Sequence, residues 1–268
     1  MREDDDIVGT PWVIDPAVRI AMRLEAVRDA FADGRLDDAT VEAEELLTES
    51  PDHVETLTIL ADITLEDGDS AGAVEIYEHV LRLTPPTAAI LSGLALARLE
   101  SVDIHGAISA AQEAVRLQAD LAEAHYTLSI ALEFVPRRAA EVISALSAAH
   151  QLAPEDYPLP LPVRSVPWEE IVGRAAAELD DETLEFWSGV PVHIEDLPKL
   201  GELTSGPVPI PPTVRGLFVG APEDGHARPD ALRLFATNLA RLGDEDAIVQ
   251  AIADVFDNEA HGWRVDTV

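Results

Sequence analysis

Two stretches decide how this chain folds: ADGRLDDATVEAEELLTESP, residues 32–51, and EDGDSAGAVEIYEHVLRLTP, residues 66–85. They carry one pattern at a spacing of 34 residues, so that Gly34 falls on Gly68 and Pro51 on Pro85. Further out the period continues: Ala39 matches Ala73 and Ala107, and Ala43 matches Tyr77, Ala111 and Ala145. In the preceding helix of each unit, Leu57 matches Leu91, Leu60 matches Leu94 and Leu128, and Ala61 matches Ala95 and Ser129. Small residues suit the crossing of two helices, because a larger side chain would push the axes apart. Leu, Val and Tyr at i, i+3 and i+4 fill the stripe between them. Gly34 and Gly68 serve turns, where a positive φ costs Gly least. Pro51 and Pro85 end the unit, since Pro cannot continue a helix.

This order resembles a tetratricopeptide repeat (TPR) array over residues 20–155, with about four helix pairs. The units near 20–53 and 54–87 match well. The third has Val102 in place of its turn Gly and Ala119 in place of Pro. The fourth has Pro136 and Arg137 near its turn, and its closing Pro154 comes one residue late. The resemblance implies a helical superhelix, because a lone unit cannot bury its apolar face. It also implies a concave groove that takes a protein or peptide. Inner helices of the carboxylate-clamp type carry Lys, Arg and Asn; this chain offers Asp62, Glu66 and Asp67, so an acidic tail is not the expected ligand.

Composition agrees and sets bounds. The 268 residues are 47% apolar but only 5% aromatic, which favours close-packed helices. The formal net charge is −33, and Lys199 is the only lysine. Such a surface repels phosphate backbones and anionic headgroups, which argues against nucleic acid and membranes as partners. It attracts basic proteins or peptides. The absence of cysteine excludes disulfides, thiolate zinc sites and a Cys nucleophile. MREDDDIVGT lacks an apolar signal core, and no run of eighteen apolar residues occurs, so a cytoplasmic location is expected.

The expected organisation is an acidic extension (1–19), the repeats (20–155), a Pro-rich spacer (156–166) and a small α+β domain (167–268). PEDYPLPLPVRSVP, Pro154–Pro167, favours extended polyproline II. Ser165 is positioned to cap a helix carrying Trp168, Ile171, Val172, Ala175 and Leu179 on one face. DETLEFWS reads as a shorter helix. VPVHIED alternates Val190, Val192 and Ile194 at period two, as a strand does. GLFVG and DALRLFATN supply further strands, the latter with Leu232 and Leu234 on one face. Asp244 caps a last long helix with Ile248, Ile252, Val255 and Phe256.

VHIEDLP (Val192–Pro198), GLFVG (Gly216–Gly220) and RPDALRLFATNLAR (Arg228–Arg241), taken in order, resemble small bacterial zincin-like metallopeptidases over about 167–268. That family carries H-E-x-x-H-H-F-G on its metal helix. In this chain the helix continues DNEAHGW, Asp257–Trp263. The resemblance places Asp257 on the first His, Asn258 on the catalytic Glu, His261 on the second His and Trp263 on the Phe. Asp266 is close to the third ligand, one residue early, and Arg264 replaces the Gly.

The motif works because ligands at i and i+4 share one helical face and the Glu takes a proton from metal-bound water. An amide cannot take that proton, and loss of a general base costs about 10²–10⁴-fold. Three readings follow. The domain is a pseudoenzyme with no metal, no cofactor and only vestigial positions Asp257, Asn258 and His261. Alternatively Asp257, His261 and Asp266, with Asp254, hold a metal weakly and the protein is a divergent zinc peptidase fed by the repeats. Or His261 is an ordinary histidine near a helix C-terminus. His193 and His226 read as exposed strand and loop residues. No P-loop, G-x-G-x-x-G or G-x-S-x-G pattern is present. The expectation is an interaction protein.

Overall fold

The computed structural model describes residues 15–206, 208–220 and 228–266, with side chains as far as Trp263. The acidic stretch Glu3–Asp6 and His226 lie outside the described residues, as does the side chain of Asp266. The chain divides into two compact units, Met1–Pro86 and Thr87–Val268.

The first unit holds α1 (Pro16–Ala32), α2 (Leu36–Glu49), α3 (Val54–Glu66) and α4 (Ser70–Leu83). α1 pairs with α2 and α3 with α4, while α3 also packs on α1 and α2. The periodic small residues form the crossings: Ala39, Ala43, Ala61 and Ala73 are fully buried. Tyr77, the large residue at the position of Ala43, is also buried, and its hydroxyl donates to Asp62 across the α3–α4 pair. Gly34 and Gly68 have φ of 71° and 91°. Each closes its helix with the same pair of bonds: Gly34 N–H to Phe31 O and Arg35 N–H to Ala30 O, then Gly68 N–H to Leu65 O and Asp69 N–H to Thr64 O.

The second unit opens with α5 (Ala88–Glu100), α6 (Ile104–Leu117), α7 (Ala122–Glu133) and α8 (Ala139–Leu152). Val102 and Arg137 occupy the turn positions at φ 67°, so non-Gly residues are held in the left-handed region. The bond Asp103 N–H to Arg98 O repeats the pattern of the first two turns. One periodic feature went unread in the sequence. Asp69 and Asp103 cap α4 and α6 by accepting from Gly72 N–H and Gly106 N–H, each at 2.9 Å. A Cβ on Gly72 or Gly106 would fall within 2.3 or 1.9 Å of the capping carboxylate, so the Gly leaves room for the cap.

After α8 come a short 3₁₀ turn (Val163–Ser165), α9 (Trp168–Ala177), α10 (Asp181–Trp187), β1 (Val192–Glu195), α11 (Leu200–Leu203), β2 (Gly216–Val219), β3 (Ala231–Phe235), α12 (Ala236–Ala240) and α13 (Glu245–Asp266). The sheet order is β1-β3-β2, with β1 parallel and β2 antiparallel to β3. Leu232 and Leu234 are both fully buried, and they meet α13 through Ile248, Ile252 and Phe256 in one apolar core. Asp244 caps α13 by accepting from Ala247 N–H.

Three local expectations change. Ser165 lies inside the 3₁₀ turn, and Pro167 stands at the N-terminus of α9. Ile194 is 38% exposed, although Val192 on the same face of β1 packs against the core. The Pro-rich segment is not a free spacer. Leu161 N–H donates to Ala240 O, Tyr157 stacks on Tyr126 at 4.6 Å, and Trp168 Nε1 donates to Val163 O. Gly243 permits the contact: at φ 72°, its Cβ would lie 2.8 Å from Pro158.

Candidate functional site

The long helix α13 forms one wall of a cleft of about 440 Å³. Ala251, Asp254, Val255, Asn258 and Glu259 face it from the helix, and Pro211, Thr213, Val214, Arg215 and Gly216 face it from the opposite side. The helical positions follow i, i+3, i+4, i+7 and i+8, one face of a 3.6-residue period. β2 and α13 come close because Gly216 has no side chain. A Cβ there would stand 2.6 Å from Val255 Cγ1 and 3.0 Å from Leu234 Cδ2.

Asn258, the amide in the motif-like stretch, stands in this cleft. Asp257 and His261 are exposed on the adjoining stripe and do not line it. Trp263 is buried and meets Phe218 edge-to-face at 5.0 Å, so it serves packing. Among the described residues, no group of three or more His, Asp or Glu is placed to hold a metal ion. Asp257 and His261 together supply at most two ligands, and the residue beside them is an amide instead of a base. The side chain of Asp266, the third candidate ligand, lies outside the described residues. His193 is exposed on edge strand β1, away from the cleft lining.

Glu259 was missed by the sequence reading. Its Oε2 accepts the Phe218 N–H at 3.0 Å, and burial pushes its carboxyl above the ordinary value, although that hydrogen bond opposes the shift. The only hint in the sequence was its place one turn after Val255 on the apolar side of α13.

The opposite wall is held by a buried network. Asn238 Nδ2 donates to the carbonyls of Pro212 (2.9 Å) and Val214 (2.5 Å). Arg241 Nη1 donates to Asn238 Oδ1 at 2.6 Å, and Arg241 Nη2 pairs with Glu133 of α7. The side chains of Arg241 and Glu133 are only 8% and 17% exposed. Desolvation raises the Glu133 carboxyl, and the Arg241 charge and hydrogen bond pull it back. On the sheet, Arg233 makes a two-pronged pair with Glu195 (2.7 Å each) and a third bond to Glu202, which lowers both carboxyls.

No protein-family model matches the chain, and no curated protein matches it. Among solved structures it is similar to an O-GlcNAc transferase of Thermobaculum terrenum, with TM-score 0.50 and 21% identity over 63% of this chain and 36% of that one. It is also similar to MamA (TM-score 0.46, 22% identity, 52% and 75% covered). YrrB, a TPR protein with an unusual peptide-binding site, is similar at TM-score 0.44 and 15% identity, with 49% and 68% covered. At these identities the likeness concerns the fold alone. What the likeness covers is the run of antiparallel helix pairs. No described helix is long and apolar enough to cross a membrane.

Proposed function

We propose that this is an interaction protein: the repeats bind a basic protein or peptide, and the C-terminal part is a zincin-like fold without catalysis. The observation that carries the second half is Asn258. The cleft beside α13 receives an amide at the position where the resemblance calls for the water-activating carboxylate. The repeats support the first half through their inner helices. Glu55, Asp62 and Glu66 recur along one side of α3, and Asp62 and Glu66 are close enough for Glu66 to raise the Asp62 carboxyl. Desolvation is the larger cause of that rise. Glu55 pairs with Arg28 and Asp62 accepts from the Tyr77 hydroxyl, so exposed Glu66 is the carboxylate of this row best placed to meet a partner's cation. The protein carries no resident metal or cofactor in this reading.

Elemental analysis of the purified protein, with peptide hydrolysis assayed with and without a chelator, tests the proposal. Substoichiometric zinc and no hydrolysis are expected. One equivalent of zinc together with chelator-sensitive cleavage, lost in His261→Ala, would establish the rival reading of a metal-dependent peptidase.

A further inference from the structure

A second cleft, of about 420 Å³, opens between α9, α10 and α13 on a different side of α13 from Asn258. Its lining is apolar: Trp187 and Phe256 with Val172, Leu179 and Val192. Leu184 stands at its edge, 46% exposed. The mouth is acidic. Asp181 and Glu185 line it, and Glu178, Asp180 and Glu182 are exposed on the same short stretch. Of the nearby cations, Arg174 pairs with Asp246, while Arg228 donates to the Ser188 carbonyl and leaves one positive charge at that end of the cleft.

We propose that this cleft docks a basic polypeptide segment through one large aliphatic or aromatic anchor flanked by arginine or lysine. Shape and charge each select a feature of the occupant. The hollow takes an apolar side chain out of water. The ring of carboxylates favours flanking cations and rejects an acidic segment or an anionic membrane surface. The site stands independently of the repeats, and its occupancy does not require the groove to be filled.

The test uses the full chain and three short labelled peptides: leucines flanked by arginines, the same peptide with serine for leucine, and the same with glutamate for arginine. Binding is read by fluorescence polarisation, and the site by amide chemical shifts. The leucine–arginine peptide should bind, perturb residues of α9 and α10, and weaken with salt. Leu184→Glu, a change at a half-exposed position, should weaken it at least tenfold with unchanged circular dichroism. Glu185→Arg should weaken it several-fold. The glutamate peptide should not bind, and the serine peptide should not distinguish wild type from Leu184→Glu. Absence of binding, equal affinity of the serine peptide for wild type, or indifference to Leu184→Glu would each overturn the proposal. Shifts confined to the repeats would do so as well, while leaving the proposed role of the repeats intact.

Discussion

Replacing Arg241 by Met should destabilise the second unit strongly at neutral pH and much less in mild acid. The variant keeps most of the side-chain volume but leaves Glu133 buried without its cation and Asn238 Oδ1 without its donor. Breaking one partner out of a buried pair costs about 3–5 kcal/mol. The carboxyl can escape by taking a proton, which sets a ceiling on the charge contribution. From its ordinary value of 4.5, protonation at about pH 7.5 costs at most about 4 kcal/mol, and at about pH 5 less than about 1 kcal/mol. The orphaned amide oxygen adds about 1–3 kcal/mol at any pH.

The sign is fixed by linkage. Glu133 has a raised carboxyl in the fold, so its ionised form opposes folding. That opposition is fully present above the folded value and vanishes as pH falls to 4.5. Losing Arg241 raises the folded value further and widens the window upward. Urea unfolding followed by tryptophan fluorescence in a Trp12→Phe background reads the right unit, because the other three tryptophans, Trp168, Trp187 and Trp263, all belong to it. The double variant Glu133→Gln with Arg241→Met should lose most of the pH dependence. A defect in Arg241→Met that is the same at both pH values, or below about 1 kcal/mol at neutral pH, would refute the reasoning.

Other outcomes are expected. Arg137→Gly should stabilise the chain by about 0.5–1 kcal/mol in a thermal melt, since an exposed side chain at φ 67° gives up only its left-handed strain. Gly216→Ala should cost about 1–3 kcal/mol by the same measurement, because its Cβ would sit 2.6 Å from Val255 Cγ1 and β2 would have to move off α13. Glu259→Gln should flatten the rise in stability toward acid: the amide oxygen still accepts from Phe218, but the carboxyl that burial holds above its ordinary value is gone.

The repeat half was legible because its physics is local and periodic. Ala39, Ala43 and Ala73 announce a crossing whatever else the chain does, and all three are fully buried. Val102 keeps the turn Gly's geometry in register with another residue, while at Arg137 the same geometry comes one residue after the 34-residue spacing and α8 starts one residue late. In the C-terminal part, strands and the long helix could be read from alternation and from Asp244, because each depends on neighbours in sequence. The Pro-rich segment misled for the opposite reason. Its polyproline tendency is real, but Tyr126 and Ala240, distant in sequence, give it partners. The candidate site was legible only in part. The spacing located Asn258, but which stripe of α13 meets a cleft depends on the packing of β2, and Glu259 and the Asn238–Arg241–Glu133 network arise from that packing.

The bond from Phe218 N–H to Glu259 has a bearing on how the protein behaves when crowded. Among the described residues β2 is a border strand, and a bare border is a template on which foreign or identical chains can add, layer by layer, into fibres. Here an internal carboxylate already holds a donor that such an invader would need. The border is guarded by the molecule's own side chain, and removing that guard exposes a seed for aggregation long before the fold itself is lost.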